Sequence, residues 1–133
     1  NALLEAQNKI YKEEYLDSEP VIGNMWANVN PPGGMNRAHQ HPNSLWSGVY
    51  YIKAPKNCGN LKIDDPRASA SMIRPKLKDG EKPSRVWRET GFEPKAGRLI
   101  MFYSWLVHCV DPNKSNDTRI SVSFNFLQKG MFL

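Results

Sequence analysis

The chain has 133 residues, a length that suffices for one domain with a packed core but not for two. Its net charge is +5, yet the basic residues are scattered and form no basic run or arginine-rich helix. A nucleic-acid partner is therefore not indicated, and a solvated surface is the simpler interpretation. No apolar run approaches the roughly 20 residues that cross a bilayer, so we expect no membrane partner.

The cysteine, proline and glycine contents indicate the cellular compartment and the fold class. Two cysteines, Cys58 and Cys109, do not make a disulfide framework, and free thiols are typical of a reducing compartment, so we expect a cytoplasmic protein. Ten prolines and nine glycines lie between short β-type runs and indicate many turns, as in a sandwich or barrel. Because the chain begins at Asn1 without a methionine, we expect it to be part of something longer.

The pattern along the chain predicts one helix followed by short strands. Residues 2–16 repeat apolar side chains at helical spacing, and after residue 20 the period changes to that of a strand. Residues 66–84 hold charges and prolines and predict a surface excursion. Strands are predicted where β-branched and aromatic residues lie between turn residues: 21–30, 45–53, 61–64, 85–89, 98–103, a segment from 107, and 118–128.

The last predicted strand alternates strictly between two kinds of side chain. Its apolar face carries Ile120, Val122, Phe124 and Phe126, and its polar face carries Arg119, Ser121, Ser123 and Asn125. One face is therefore expected to pack while the other lines water or a ligand. Seven or eight such strands predict an all-β double-stranded β-helix, or jelly roll. We expect a single domain over 1–133, with an N-terminal helix at 1–16 and the barrel at 20–128.

Five aromatic residues are expected in the core rather than around a substrate. These are Trp26, Trp46, Phe102, Phe124 and Phe126, which lie in or beside the predicted strands. Trp87 and Trp105 stand next to polar turns, where lining a mouth and packing are equally good interpretations.

The chain contains three histidines, and two of them, His39 and His41, are one residue apart. Side chains at i and i+2 of an extended segment point to the same side, so both imidazoles can reach one point. Neutral imidazole is a good ligand for iron, copper, nickel or zinc. His108 on a later strand can close one face of such an ion. The spacing therefore predicts a transition-metal site.

Arg119 and Ser121 lie two residues apart on the polar face of the last strand. A guanidinium offers a planar fork of donors, so an arginine beside a hydroxyl is suited to a carboxylate. From this strand alone, a solvated arginine on an exposed face is an equally good interpretation. Because His108 lies just upstream in the sequence, we favour the interpretation that Arg119 binds a ligand.

Several segments together resemble the Fe(II)- and 2-oxoglutarate-dependent oxygenases, in particular a small phage and marine bacterial branch related to prolyl hydroxylases. They are AHQHPNS at 38–44, SGVYY at 47–51, DPR at 65–67 and SVSFN at 121–125. The resemblance covers residues 20–128. It implies an enzyme with Fe(II), 2-oxoglutarate and O2 that hydroxylates an unactivated C–H bond and releases succinate and CO2. The implied substrate is a peptide, with a prolyl target favoured slightly, or a small molecule.

The resemblance also implies a role for individual residues. It matches His39 with the first metal ligand and His108 with the distal histidine. Arg119 matches the arginine that pairs the far carboxylate of 2-oxoglutarate, Ser121 matches the hydroxyl of the R-x-S pattern, and Tyr51 matches a tyrosine against the same carboxylate.

His41 departs from the family pattern, because it stands where the family usually carries aspartate or glutamate. Three arrangements are open: His41 is a third ligand, or His41 and His108 ligate together with Asp64 or Asp65, or His39 only orients a ligand. We favour the three-histidine set, since the i, i+2 geometry brings two rings together automatically. The Asp-Pro pair is ordinary turn chemistry.

Two other classes of protein remain open. A cupin-type three-histidine dioxygenase fits Gly33 followed by His39 and His41, but no glutamate follows at the required distance and a cupin has no need of Arg119. A non-catalytic barrel that binds a metal or a small acid is favoured by the absence of a clear carboxylate ligand.

Overall fold

The computed structural model describes residues 2–13, 20–72, 78 and 89–130. Within these ranges the chain forms one α-helix, a short 3-10 helix at Ala68–Ser71 and eight strands. The helix is α1 (Ala2–Glu13), and the strands are β1 (Pro20–Asn30), β2 (Asn36–His39), β3 (Trp46–Lys53), β4 (Leu61–Asp64), β5 (Glu89–Phe92), β6 (Leu99–Tyr103), β7 (His108–Val110) and β8 (Arg119–Gln128).

The strands form two four-stranded sheets. The major sheet has the order β1-β8-β3-β6 and the minor sheet the order β2-β7-β4-β5, and all their pairings are antiparallel. Two antiparallel sheets with these strand orders form a double-stranded β-helix, so the predicted all-β jelly roll with an N-terminal helix is confirmed. Among the described helices, none is long and apolar enough to span a membrane.

The outer face of the major sheet packs beneath α1. Phe124 and Phe126 of β8 are fully buried there, and Trp46 of β3 completes the cluster. Leu3 and Ile10, two helical turns apart and therefore on one side of α1, pack against these rings. The predicted apolar face of the last strand is confirmed, and so is the predicted core position of these three aromatic residues.

The inner face of the major sheet looks towards the minor sheet. A second core cluster lies between the sheets, formed by Val49, Tyr51, Leu61, Ile63 and Phe102. The predicted polar face of β8 also lies here, and Arg119, Ser121 and Asn125 are all buried. The inner face therefore combines apolar packing with buried polar groups.

The described elements differ from the predictions at several points. The described part of the helix runs to Glu13, and residues 14–16 of the predicted helix lie outside the described ranges. The strand expected at 85–89 is described only from Glu89 and runs on to Phe92, paired with β4. The strand Asn36–His39 was not predicted. Of the expected excursion at 66–84, Ala68–Ser71 forms the 3-10 helix, while 73–77 and 79–84 lie outside the described residues.

Candidate metal centre and its cavity

Three histidines from two neighbouring strands converge on one point. His39 ends β2 and stands opposite His108, the first residue of β7, while His41 follows on the segment after β2. One candidate ligand nitrogen from each residue lies within 4.8 Å of the other two. The Nε2 atoms of His41 and His108 are 3.2 Å apart. The antiparallel pairing thus brings together residues that are far apart in the sequence.

Backbone carbonyls fix the orientation of two of the rings. Nδ1 of His39 lies 2.7 Å from the carbonyl oxygen of Arg37, and Nδ1 of His108 lies 2.9 Å from that of Leu106. Because a carbonyl oxygen only accepts hydrogen bonds, each Nδ1 carries the proton and donates it. The Nε2 atoms of both rings are therefore unprotonated and able to act as ligands.

The site favours the neutral form of the two less exposed rings. Burial, together with the neighbouring His39 and His41, lowers the pKa of His108 to about 4 against the opposing hydrogen bond to the Leu106 carbonyl. Burial and then the charge of His39 lower the pKa of His41. Only neutral imidazole binds a metal ion, so this environment prepares the rings for ligation.

The donor set fits a transition-metal ion. Imidazole nitrogens lie about 2.0–2.1 Å from such an ion, so adjacent ligands of an octahedron are about 3.0 Å apart. The 3.2 Å between the Nε2 atoms of His41 and His108 is close to this value.

The metal cluster found among the described residues contains no carboxylate. Asp65, one alternative third ligand, instead accepts two hydrogen bonds from the guanidinium of Arg67, at 2.9 and 2.6 Å. Asp64, the other alternative, ends β4 and does not belong to the cluster. The geometry therefore favours three histidines over a set that includes either aspartate.

A cavity between the sheets joins the histidines to Arg119. Its wall includes side chains from β1, β3 and β8, among them Trp26, Asn28, Tyr51, Arg119, Ser121 and Ser123. The expectation that Trp26 lies in the core was wrong. Its side chain is only partly buried because β1 is the edge strand of the major sheet, and its ring centroid lies 5.8 Å from that of His41.

Arg119 is 1% exposed and only partly satisfied. Its Nη1 donates to the carbonyl oxygens of Cys58 and Gly59. Its Nη2 is buried and has no hydrogen-bond partner among the described residues. A buried donor on a charged group is costly to leave unpaired, so this end of the cavity is suited to an anionic acceptor.

Tyr51 and Ser121 lie in the wall of the same cavity as Arg119. Burial raises the pKa of Tyr51 to about 12, against the opposing charge of Arg119. The phenol therefore keeps its proton at neutral pH and remains a donor. Ser121 is buried two residues from Arg119 on the same face of β8. The structure thus brings all six predicted site residues to one cavity, and their roles stay predictions.

Sequence reasoning missed a buried polar chain behind His41. Asn125 lies with its amide nitrogen 3.5 Å from Nδ1 of His41 and contacts Ser47, which in turn contacts Ser104. Alternation placed Asn125 on the polar face of β8. Nothing local indicated that Ser47 of β3 stands opposite it, because that depends on strand register.

Comparison with protein families gives one match, over residues 24–125, to a family described as "Putative 2OG-Fe(II) oxygenase". This range includes the three histidines, Tyr51, Arg119 and Ser121. The comparison with curated proteins found no significant match.

Solved structures share the fold. A Pseudomonas putida prolyl-4-hydroxylase is 23% identical, with a TM-score of 0.65 over 96% of this chain and 63% of that chain. A Burkholderia pseudomallei oxidoreductase of the 2OG-Fe(II) oxygenase family is 14% identical, with a TM-score of 0.65 over 90% and 50%. A non-heme monooxygenase, the ThoJ-Ni complex, is 11% identical, with a TM-score of 0.66 over 97% and 51%. The chain therefore spans between half and two thirds of these solved chains.

Proposed function

The chain belongs to the 2OG-Fe(II) oxygenase family, and on that premise we propose that residues 1–133 form a single non-haem oxygenase domain. It uses Fe(II), 2-oxoglutarate and O2 to hydroxylate an unactivated C–H bond, with succinate and CO2 as co-products. The observation that carries this proposal is one cavity with two complementary ends. Three imidazoles converge at one end, and at the other lies a buried guanidinium with a donor that is unpaired among the described residues.

His39, His41 and His108 hold Fe(II) through their Nε2 atoms, and the bound ion supplies the redox chemistry with O2 and the keto acid. The protein's share is to keep His41 and His108 neutral and to present the three rings to the ion. Two backbone carbonyls orient His39 and His108, and burial keeps the pKa of His41 and His108 low.

Arg119, Ser121 and Tyr51 bind the far carboxylate of 2-oxoglutarate. Nη2 of Arg119 and the phenol of Tyr51 supply donors, and the hydroxyl of Ser121 lies on the same strand face. The carbonyls of Cys58 and Gly59 hold the guanidinium in place through Nη1. A fixed arginine positions the cosubstrate with little loss of side-chain freedom on binding.

The two sheets surround the cavity with apolar groups, which limits the access of water to the reacting centre. Val49, Leu61 and Phe102 form this lining beside the polar side chains. Exclusion of water strengthens the contact between Arg119 and a carboxylate. No general acid or base is required of the chain in this reaction.

For the substrate we propose a prolyl or other peptidyl group. The support is the fold shared with a prolyl-4-hydroxylase, together with a net charge of +5 that favours an acidic partner over long range. We place the protein in the reducing cytoplasm, because Cys58 and Cys109 are both free thiols.

The proposal is tested through His41, the proposed third metal ligand. Addition of Fe(II) and 2-oxoglutarate without O2 is expected to give a weak visible charge-transfer band, and O2 is then expected to release succinate. His41→Asp supplies the carboxylate that the family usually carries, so it is expected to retain the band and the succinate release, whereas His41→Ala loses both. Absence of the band in the unsubstituted protein contradicts the proposal. Loss in His41→Asp as complete as in His41→Ala contradicts His41 as a ligand.

A further inference from the structure

We propose that Asn125 is a positioning residue for His41, supported by Ser47 and Ser104 behind it. In this arrangement a buried hydrogen-bonded chain does for His41 what backbone carbonyls do for the other two histidines. The inference rests on the proposed function, because it concerns how the third nitrogen is presented to a metal ion.

The three histidines differ in what faces their Nδ1 atoms. His39 and His108 meet carbonyl oxygens, which accept and can do nothing else. His41 meets the side-chain amide of Asn125, at 3.5 Å. An amide can present either a donor or an acceptor, so the proton position of His41 depends on a side chain rather than on the fold's backbone.

The amide belongs to a chain of buried polar groups. Ser104 and Ser47 are 0% and 2% exposed, and their hydroxyl oxygens are 2.8 Å apart. The Ser47 oxygen lies 2.6 Å from Oδ1 of Asn125, which is 3% exposed. Nδ2 of Asn125 donates to Oδ1 of the exposed Asn24 at 2.7 Å. Asn125 and Ser47 therefore each contact at least two other polar groups, and Ser104 and Asn24 stand at the ends of the chain.

This chain can run in two directions. A hydroxyl both donates and accepts, and an amide keeps its shape when its oxygen and nitrogen change places, so Ser47, Ser104, Asn125 and Asn24 can reverse together without losing a bond. With its nitrogen towards His41, the amide donates to Nδ1 and the ring proton resides on Nε2, 3.2 Å from Nε2 of His108. With its oxygen towards His41, the amide accepts from Nδ1 and leaves Nε2 free.

Metal binding through Nε2 requires the second direction. Asn125 then accepts the Nδ1 proton of His41, Ser47 accepts from the Asn125 amide nitrogen, and Ser104 accepts from the Ser47 hydroxyl. Groups that hold the remote nitrogen of a metal-bound histidine in this way typically change metal affinity about 10–100-fold when removed.

The test measures the dissociation constant for Co(II) by competition with a chromophoric chelator, which needs no turnover. Asn125→Asp offers only acceptors, so the affinity is expected to be retained or raised. Asn125→Leu keeps the approximate size and removes the hydrogen bonds, so the affinity is expected to fall about 10–100-fold. The matched control is Asn113→Leu, which removes another buried asparagine, bonded to the carbonyls of Asn30 and Asp117, and is expected to leave the affinity of the folded protein unchanged.

The Ser104→Ala variant provides a second test, which stays informative even if the Asn125→Leu variant does not fold. Without Ser104 the Ser47 hydroxyl donates to Asn125, which turns the amide nitrogen towards His41, so the Co(II) affinity is expected to fall several-fold. Equal affinity in Asn125→Leu and the unsubstituted protein overturns the inference, and so does an Asn125→Asp affinity as weak as that of Asn125→Leu. Failure of the unsubstituted protein to bind Co(II) overturns the proposed function itself, and the inference with it.

Discussion

The two faces of strand β8 carry side chains of opposite character on the same backbone. Phe124 and Phe126 point outwards and are sealed beneath α1 in an apolar cluster. Arg119 and Asn125 point inwards and are just as deeply buried, yet they carry a charge and an amide. Apolar burial stabilises the fold directly, whereas polar burial costs free energy unless each group is bonded. We infer that the outer face stabilises the fold. The inner face lowers the stability of the fold, and its buried polar groups serve ligand binding.

The largest expected effect is on the outer face. Phe126→Ala removes a fully buried ring from the cluster under α1, so the free energy of unfolding is expected to fall by about 3–5 kcal/mol. Urea unfolding followed by circular dichroism measures the change. Ile52→Thr serves as the control, because Ile52 is exposed and an exposed β-branched exchange is expected to cost less than about 0.5 kcal/mol. Equal losses in the two variants would break the comparison.

The inner face is expected to show its effect in binding rather than in folding. Arg119→Ala removes the guanidinium expected to pair the carboxylate of 2-oxoglutarate, so the binding free energy is expected to weaken by about 3 kcal/mol. Calorimetric titration of the Co(II)-loaded protein with 2-oxoglutarate measures it. Arg98→Ala is the matched control, since the Arg98 side chain donates to the Glu93 carbonyl and is not part of the cavity wall. Unchanged 2-oxoglutarate binding in Arg119→Ala would refute the assignment.

A smaller effect on stability is expected at Gly48 of β3, which lies against the outer apolar cluster. A Cβ at Gly48 would lie 2.3 and 2.5 Å from ring carbons of Phe124, so Gly48→Ala is expected to lower the free energy of unfolding by about 1–3 kcal/mol. Thermal or urea unfolding measures this. In Gly91→Ala the added carbon meets only the Asn60 side chain, at 3.5 Å or more, so little change is expected. A Gly48→Ala variant as stable as Gly91→Ala would show that the Phe124 ring moves without cost.

The sequence predicts the two faces of β8 because their alternation is strictly local. Period-two patterning needs no knowledge of neighbouring strands, and it correctly put Phe126 on the apolar packed face and Arg119 on the opposite, polar face. The convergence of the histidines was also anticipated, since His39 and His41 are separated by one residue. The strand that ends at His39 was missed, because Asn36–His39 is short and carries no β-branched residue.

Features that depend on strand register were out of reach. Asn125 stands opposite Ser47, and that pairing joins residues far apart in sequence. The partly exposed position of Trp26 follows from β1 being an edge strand, which alternation does not reveal. The choice between Asp65 and His41 as third ligand likewise needed the position of Arg67, whose guanidinium engages the Asp65 carboxylate.

The opposition of His39 and His108 across β2 and β7 has a consequence for folding. An ion held by both residues would tie together two distant parts of the chain. Closing a loop of this length lowers the chain entropy, and the unfolded chain keeps that entropy. Ligand binding to the folded state alone stabilises it by mass action, by about 2.7 kcal/mol at a hundred times the dissociation constant. The same ion would therefore act as a reversible cross-link of the minor sheet, and a higher ion concentration would shift the equilibrium towards the folded state.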